Sequence, residues 1–216
     1  MLPSYKHIIN PKLKHTYLSI DDEGTLIIKS PMVSQQYISK LLISKAKWIN
    51  HAREQIANKK GKISNINDLS SLYLWGKSKK LILIPSSKNK IAIDEDITIY
   101  YKDADKIHQQ IYNLYKEEAK SKLPQIVQEY ANKMQLFPNK ITFRKTKRQW
   151  GSCSATNNIS LNTMLAKLPI DVVKYVIVHE LAHIRHKNHQ KEFWALVGKY
   201  MPKYKQLQNE LKTYTT

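Results

Sequence analysis

The chain is short of cysteine, of acidic residues and of long apolar runs, and each shortage narrows what it does. A single cysteine, Cys153, excludes an internal disulfide. It also argues against a closed structural zinc site, which takes four ligands, commonly cysteines. No apolar run is long enough to span a membrane. The opening residues MLPSYKHIIN lack the apolar core of a secretory signal, so a cytoplasmic protein is expected, and the glycosylation sequon at Asn158-Ile159-Ser160 is disregarded. Acidic side chains number 17 against 36 Lys and Arg, a formal net charge of +19. Between Glu129 and Asp171 there is no Asp or Glu at all, while Lys140, Arg144, Lys145, Lys147 and Arg148 lie in that stretch. Such a balance favours anionic partners, although lysine-rich surfaces are often merely solvated.

What is present, taken in order, reads as an α+β chain. Apolar runs at 16–20 and 25–29 flank Asp21-Asp22-Glu23-Gly24 as a β-hairpin. Residues 37–59 then carry a helical stripe that places Trp48 in a core. A polar linker at 60–68 leads to strands at 72–75, 80–84, 91–93 and Ile97–Tyr101. Gly76-Lys77-Ser78 resembles the tail of a phosphate-binding loop, but Ser71 stands where its first glycine belongs and a strand follows, which excludes that motif. Residues 105–134 form one long helix, or two meeting at Pro124. This gives a β-rich region over 1–104 with one helix, and a largely helical core over 105–216. The core has strands at 141–145 and Asn158–Asn162, an apolar helix from about residue 171, and further helices at 190–200 and Tyr204–Leu211.

The apolar helix carries His179-Glu180-Leu181-Ala182-His183. Positions i and i+4 share one helix face, so two imidazoles can grip one ion, and the glutamate beside the first can take a proton from water on that ion. Val172, Val173, Val176, Ile177, Leu181 and Ile184 supply the apolar stripe, with Asp171 as N-cap and Asn188 at the helix end. Catalytic zinc usually takes three protein ligands. His186 lies roughly 10 Å along the axis from His179, too far to share an ion at about 2 Å. His189 follows the helix end and can fold back, so it is the expected third ligand, with Glu192 as the weaker alternative. Cys153 reads as a small buried hydrophobe, and Trp150 and Trp194 as packing around the helix.

Trp150-Gly151-Ser152-Cys153-Ser154, Ile159-Ser160-Leu161-Asn162, VIVHELAH, Asn188-His189 and Phe193-Trp194 occur in that order. The sequence resembles the YgjP-like metallopeptidases, a compact zincin family related to the SprT-like proteins. The resemblance is strongest from Ile141 to Trp194. It extends over the chain through Pro31, the Trp48 helix and Leu74-Trp75-Gly76. It implies a zincin-like core with a small antiparallel sheet, zinc on His179, His183 and His189, and Glu180 as catalytic acid/base. The family usually has Arg directly before Trp-Gly-Ser-Cys. Here Gln149 stands there and Arg148 precedes it, which makes Arg148 a candidate substrate contact or oxyanion donor, with Asn162 a further candidate contact. The expected function is zinc-dependent hydrolysis of a peptide or protein, an extended substrate adding to strand Asn158–Asn162. A nucleoside triphosphate pyrophosphatase is the alternative, and a nucleic-acid-associated protein a third.

Overall fold

The structure, a computed structural model, describes residues 3–21, 24–57 and 69–215. They fall in two compact units, Met1–Lys60 and Gly61–Thr216. The expected linker at 60–68 and the turn residues Asp22 and Glu23 lie outside the described residues.

In the first unit β1 (Tyr5–Ile9) pairs parallel with β3 (Leu26–Ser30), which pairs antiparallel with β2 (Tyr17–Ile20). The β2–β3 hairpin is the one anticipated, whereas β1 is not legible as a strand before its partner is known. The stripe at 37–59 folds as two helices, α1 (Gln35–Ser44) and α2 (Ala46–Ala57), parted at Lys45. Ser34 caps α1 by accepting from the Tyr37 amide. Leu26, Ile28, Ile38, Leu42 and Ile49 form the core. Trp48 is not part of it: its neighbour Ile49 takes the inward position, and one residue of helix rotates Trp48 outward to 45% exposure.

The second unit begins with a four-stranded sheet of order β4-β5-β7-β6. Its strands are β4 (Ser71–Leu74), β5 (Lys77–Pro85), β6 (Lys90–Ile93) and β7 (Ile97–Tyr101). A single 3₁₀ turn leads into α3 (Ile107–Met134), one continuous helix despite Pro124. The boundary anticipated near residue 104 falls inside this unit, because Ile97 and Ile99 of β7 share one apolar cluster with Ile107 and Ile111 of α3. Then come β8 (Lys140–Arg144), β9 (Gly151–Cys153) and β10 (Asn158–Asn162). β10 lies in the middle of this second sheet, parallel to β8 and antiparallel to β9. The sheet is therefore mixed, and strand addition at β10 is ruled out because both its edges are already paired. The edge strands are β8 and β9.

Helices α4 (Ile170–Arg185), α5 (Lys191–Tyr200) and α6 (Tyr204–Leu211) complete the unit. Pro169 occupies the N-cap position of α4, and Asp171 lies inside the first turn, where its charge suits the helix dipole. Among the described residues no helix is long and apolar enough to cross a membrane.

The start of α4 is braced by the β4–β5 turn. The Trp75 amide donates to the Ala166 carbonyl at 2.7 Å and the Gly76 amide to that of Lys167 at 3.2 Å. Gly76 adopts φ +80°, and a Cβ there would meet Pro169 Cα at 2.7 Å. Both conditions demand glycine. Gly76→Ala is expected to lower unfolding stability by about 2 kcal/mol or more, measured by urea denaturation; an unchanged midpoint would contradict this bracing.

Candidate metal centre

Helix α4 runs through the core with Val172, Val173, Val176, Ile177 and Leu181 buried. Its apolar stripe fixes its rotation, and that rotation turns His179 and His183 to one side. The helix ends at Arg185, earlier than the Asn188 end anticipated, with His186 extended at φ −122°. Ending there lets the chain turn back within a few residues, so that His189 meets the helix face it left. The ligand nitrogens of His179, His183 and His189 all lie within 4.8 Å of one another. His179 Nε2 and His189 Nε2 face each other at 3.0 Å. Glu192, exposed in the first turn of α5, is not in the cluster.

The rings are held by packing. The Phe193 ring lies 4.9, 4.6 and 4.7 Å from those of His179, His183 and His189, a shared apolar floor. Trp194 stacks on His189 at 5.6 Å, and Tyr204 of α6 stacks on Trp194 at 5.3 Å. His183 Nδ1 lies 3.0 Å from the His186 carbonyl. A carbonyl only accepts, so Nδ1 carries the proton and Nε2 keeps its lone pair. His186 thus serves through its backbone.

Charge reinforces this. Burial, then the neighbouring His183 and His189, holds the His179 imidazole down to about 3, so it is neutral at any physiological pH. Burial lowers His183 as well. Neutral imidazoles are the form that binds a metal. His179 Nδ1 is buried without a hydrogen-bond partner, a cost that well-packed proteins seldom accept outside functional sites. The donor set of three imidazoles fits a zinc ion, with the Nε2 of His179 and of His189 turned toward each other.

Glu180 is 6% exposed, and burial lifts its carboxyl to about 8. It packs against Gly151, where a Cβ would stand 2.7 Å from Glu180 Cγ and 2.8 Å from Oε1. Strand β9 therefore crosses directly over the glutamate. Trp150 and Trp194 pack against the core as anticipated. Cys153 is half-buried, and burial pushes its thiol pKa up, which opposes a nucleophilic role.

The two candidate substrate contacts fare differently. Arg148 is exposed and makes no hydrogen bond among the described residues. Asn162 is 2% exposed, and its Nδ2 donates to Thr146 O at 2.8 Å, Thr146 Oγ1 at 3.0 Å and Gln149 O at 2.9 Å. It ties down the loop that carries Arg148. Sequence reasoning missed Phe193 as the floor of the site and Gly151 as the point of close approach; no periodicity marks either.

Three convergent imidazoles beside a buried carboxyl group are the parts of a metal-dependent hydrolase. The chain belongs to the YgjP-like family, whose model, described as a YgjP-like metallopeptidase domain, matches residues 14–214. It is also similar to the UTP pyrophosphatase of Escherichia coli (strain K12), 29% identical over 89 residues, 40% of this chain. That match covers 53% of the relative, so the chain spans about half the length of that protein. Among solved structures, the crystal structure of the metallopeptidase zymogen of Pyrococcus abyssi abylysin aligns over 42% of this chain and 91% of that one. The identity there is 21% and the TM-score 0.39.

Dialysed protein is expected to retain one zinc per chain. His189→Ala should lose most of it and His186→Ala should keep it, because His186 acts through its carbonyl. Elemental analysis decides, and the reverse order would remove His189 from the ligand set.

Proposed function

We propose that the protein is a zinc-dependent hydrolase of the metallopeptidase type, with His179, His183 and His189 holding the metal and Glu180 as general base. The observation that carries this reading is the convergence of three imidazoles beside a buried glutamate. Zinc, when bound, supplies a Lewis acid that polarises an oxygen and lowers the pKa of water toward 7. Glu180, shielded from bulk solvent by Gly151, accepts the proton of the attacking water at its carboxylate and returns it to the leaving group.

The open edge of β9 supports a peptide as substrate. The Asn162 amide donates to the Trp150 carbonyl and the Ser154 amide to the Asn158 carbonyl. In an antiparallel ladder the bonded pairs alternate, so Ser152 also faces β10, while Gly151 and Cys153 turn their N–H and C=O groups to the free edge. An extended chain laid there pairs with both and passes Glu180. A second reading, hydrolysis of a nucleoside triphosphate, draws on the similarity to a UTP pyrophosphatase and on the acid-free basic stretch ahead of α4.

Glu180→Gln tests the common chemistry. It keeps shape and removes the base, so zinc content should stay while hydrolysis falls by roughly 10²–10⁴-fold. A screen of peptides and nucleoside triphosphates on zinc-loaded protein identifies the substrate. Wild-type turnover of triphosphates with no peptide cleavage would establish the second reading, and equal rates for Glu180→Gln and wild type would remove Glu180 from the mechanism.

A further inference from the structure

Gly151 has a second neighbour. Its side-chain direction meets Glu180, so Ser152, one residue on, points to the opposite face of the sheet, as do its register partner Ser160 and then Asn162. On that outer face the loop 146–149 folds over the strands and encloses a cavity of about 160 Å³. Arg144, Gln149, Ser152, Ser160 and Asn162 line it, with the Gly151 backbone. No carboxylate is among the lining residues.

The cavity is built to present donors. Asn162 fixes the covering loop through its bonds to Thr146 and Gln149. Arg144 Nε donates to Ser160 Oγ at 2.6 Å, and Ser160 is only 8% exposed. That bond orients the guanidinium and leaves both its Nη groups free. Because Ser160 Oγ accepts, its own proton remains available. Ser152 Oγ and Gln149 Nε2 make no hydrogen bond among the described residues. A fork of guanidinium nitrogens, two hydroxyls and an amide thus border a space with no counter-charge of their own. From Tyr130 to Ile170 the sequence offers no acidic residue to supply one. Water satisfies such donors only in part, whereas a planar guanidinium with neighbouring hydroxyls matches the paired oxygens of an anion.

We propose that this cavity is a subsite for an anionic oxygen group of the substrate, carboxylate or phosphate, held by Arg144, Ser152 and Ser160. The assignment of the group to the substrate rests on the hydrolase reading; the cavity's preference for anions does not. A peptide strand paired with the open edge of β9 sends alternate side chains to the outer face, beside Ser152, where an acidic one would reach Arg144. In a nucleotide the same place would take a phosphate. Specificity would then be set one strand's thickness away from Glu180, on the far side of Gly151.

The test uses full-length, zinc-loaded Glu180→Gln protein, so that turnover does not confuse binding. Two kinds of probe are titrated by calorimetry: inorganic tripolyphosphate, and a pair of peptides that differ only by Glu against Gln. An anionic probe is expected to bind, and Arg144→Gln to weaken it about 10-fold or more, with zinc content unchanged and a cooperative melting transition retained, since Arg144 is not among the clustered histidines. Ser152→Ala should weaken it less. Preference for the Glu peptide identifies a carboxylate as the ligand, and binding of tripolyphosphate alone identifies phosphate. The proposal is overturned if no anionic probe binds, or if Arg144→Gln leaves the affinity unchanged. An affinity lost in His189→Ala but kept in Arg144→Gln also overturns it, because the anion then sits on the metal. Arg144-dependent binding in a protein that holds no zinc would instead sink the metal assignment and leave the subsite standing.

Discussion

The contact between the Gly151 backbone and the Glu180 side chain sets the spacing of everything around it. A Cβ at Gly151 would lie 2.7 to 2.9 Å from three atoms of that glutamate, closer than packed side chains come. Removing it lets a strand lie directly on a helix. The glutamate is thereby sealed from bulk water, which is why its carboxyl holds a proton more tightly than an exposed one. A larger residue would lift β9 and admit solvent to Glu180 in one step.

Helix termination does the corresponding work for the metal ligands. An α-helix places two imidazoles on one face but no third, since the next position on that face is a further turn away. Ending α4 at Arg185 releases the chain, and the His186 carbonyl, no longer bonded within the helix, is free to take the His183 Nδ1 proton. His189 has no comparable polar anchor beyond its contact with His179. Its ring is located by Phe193 and Trp194, and Trp194 in turn by Tyr204. His189 is therefore positioned by α5 and α6. Aromatic packing of this kind orients a ring without competing for its nitrogens.

Much of this was legible in the sequence, and the limits have physical causes. The helix, its two histidines and its glutamate follow from spacing alone, because helical periodicity is a local property. The side chains of His179, His183 and His189 come together. Trp48 was misplaced because a stripe read across 37–59 assumes one unbroken helix, and the break at Lys45 shifts the phase of the second helix against the first. The role of β10 was misjudged for another reason: whether a strand is central or at an edge depends on partners distant in sequence, here β8 and β9. The grouping of β4 to β7 with the helical half has the same origin, since Tyr115 Oη donates to the Tyr73 carbonyl across 42 positions of chain. Arg148 drew attention by its nearness to the Trp-Gly-Ser-Cys run. Strand alternation puts Arg144 in the cavity instead, a parity that requires the register with Asn162 to be known.

Electrostatics link the two sides of β9. Histidine ligands, unlike carboxylates, would leave the charge of a bound divalent metal undiminished. Ion pairs such as Lys120 with Glu117 and Lys133 with Glu129 lie exposed along α3, where solvent screening makes them weak. The acidic side chains are thus spread over α3 and other surfaces, and the segment running from Tyr130 to Ile170 keeps its positive charge uncompensated. At a Debye length of about 10 Å in 0.1 M salt, the field of that segment acts on a ligand only as it enters the cleft. Net charge therefore does not choose between a peptide and a nucleotide at long range. The choice falls to contact, where an oriented guanidinium recognises paired oxygens and an open strand edge recognises a peptide backbone. Both features meet at Gly151 and Ser152, so a substrate that is extended and anionic at once would engage them together, whereas a compact anion would use the cavity alone.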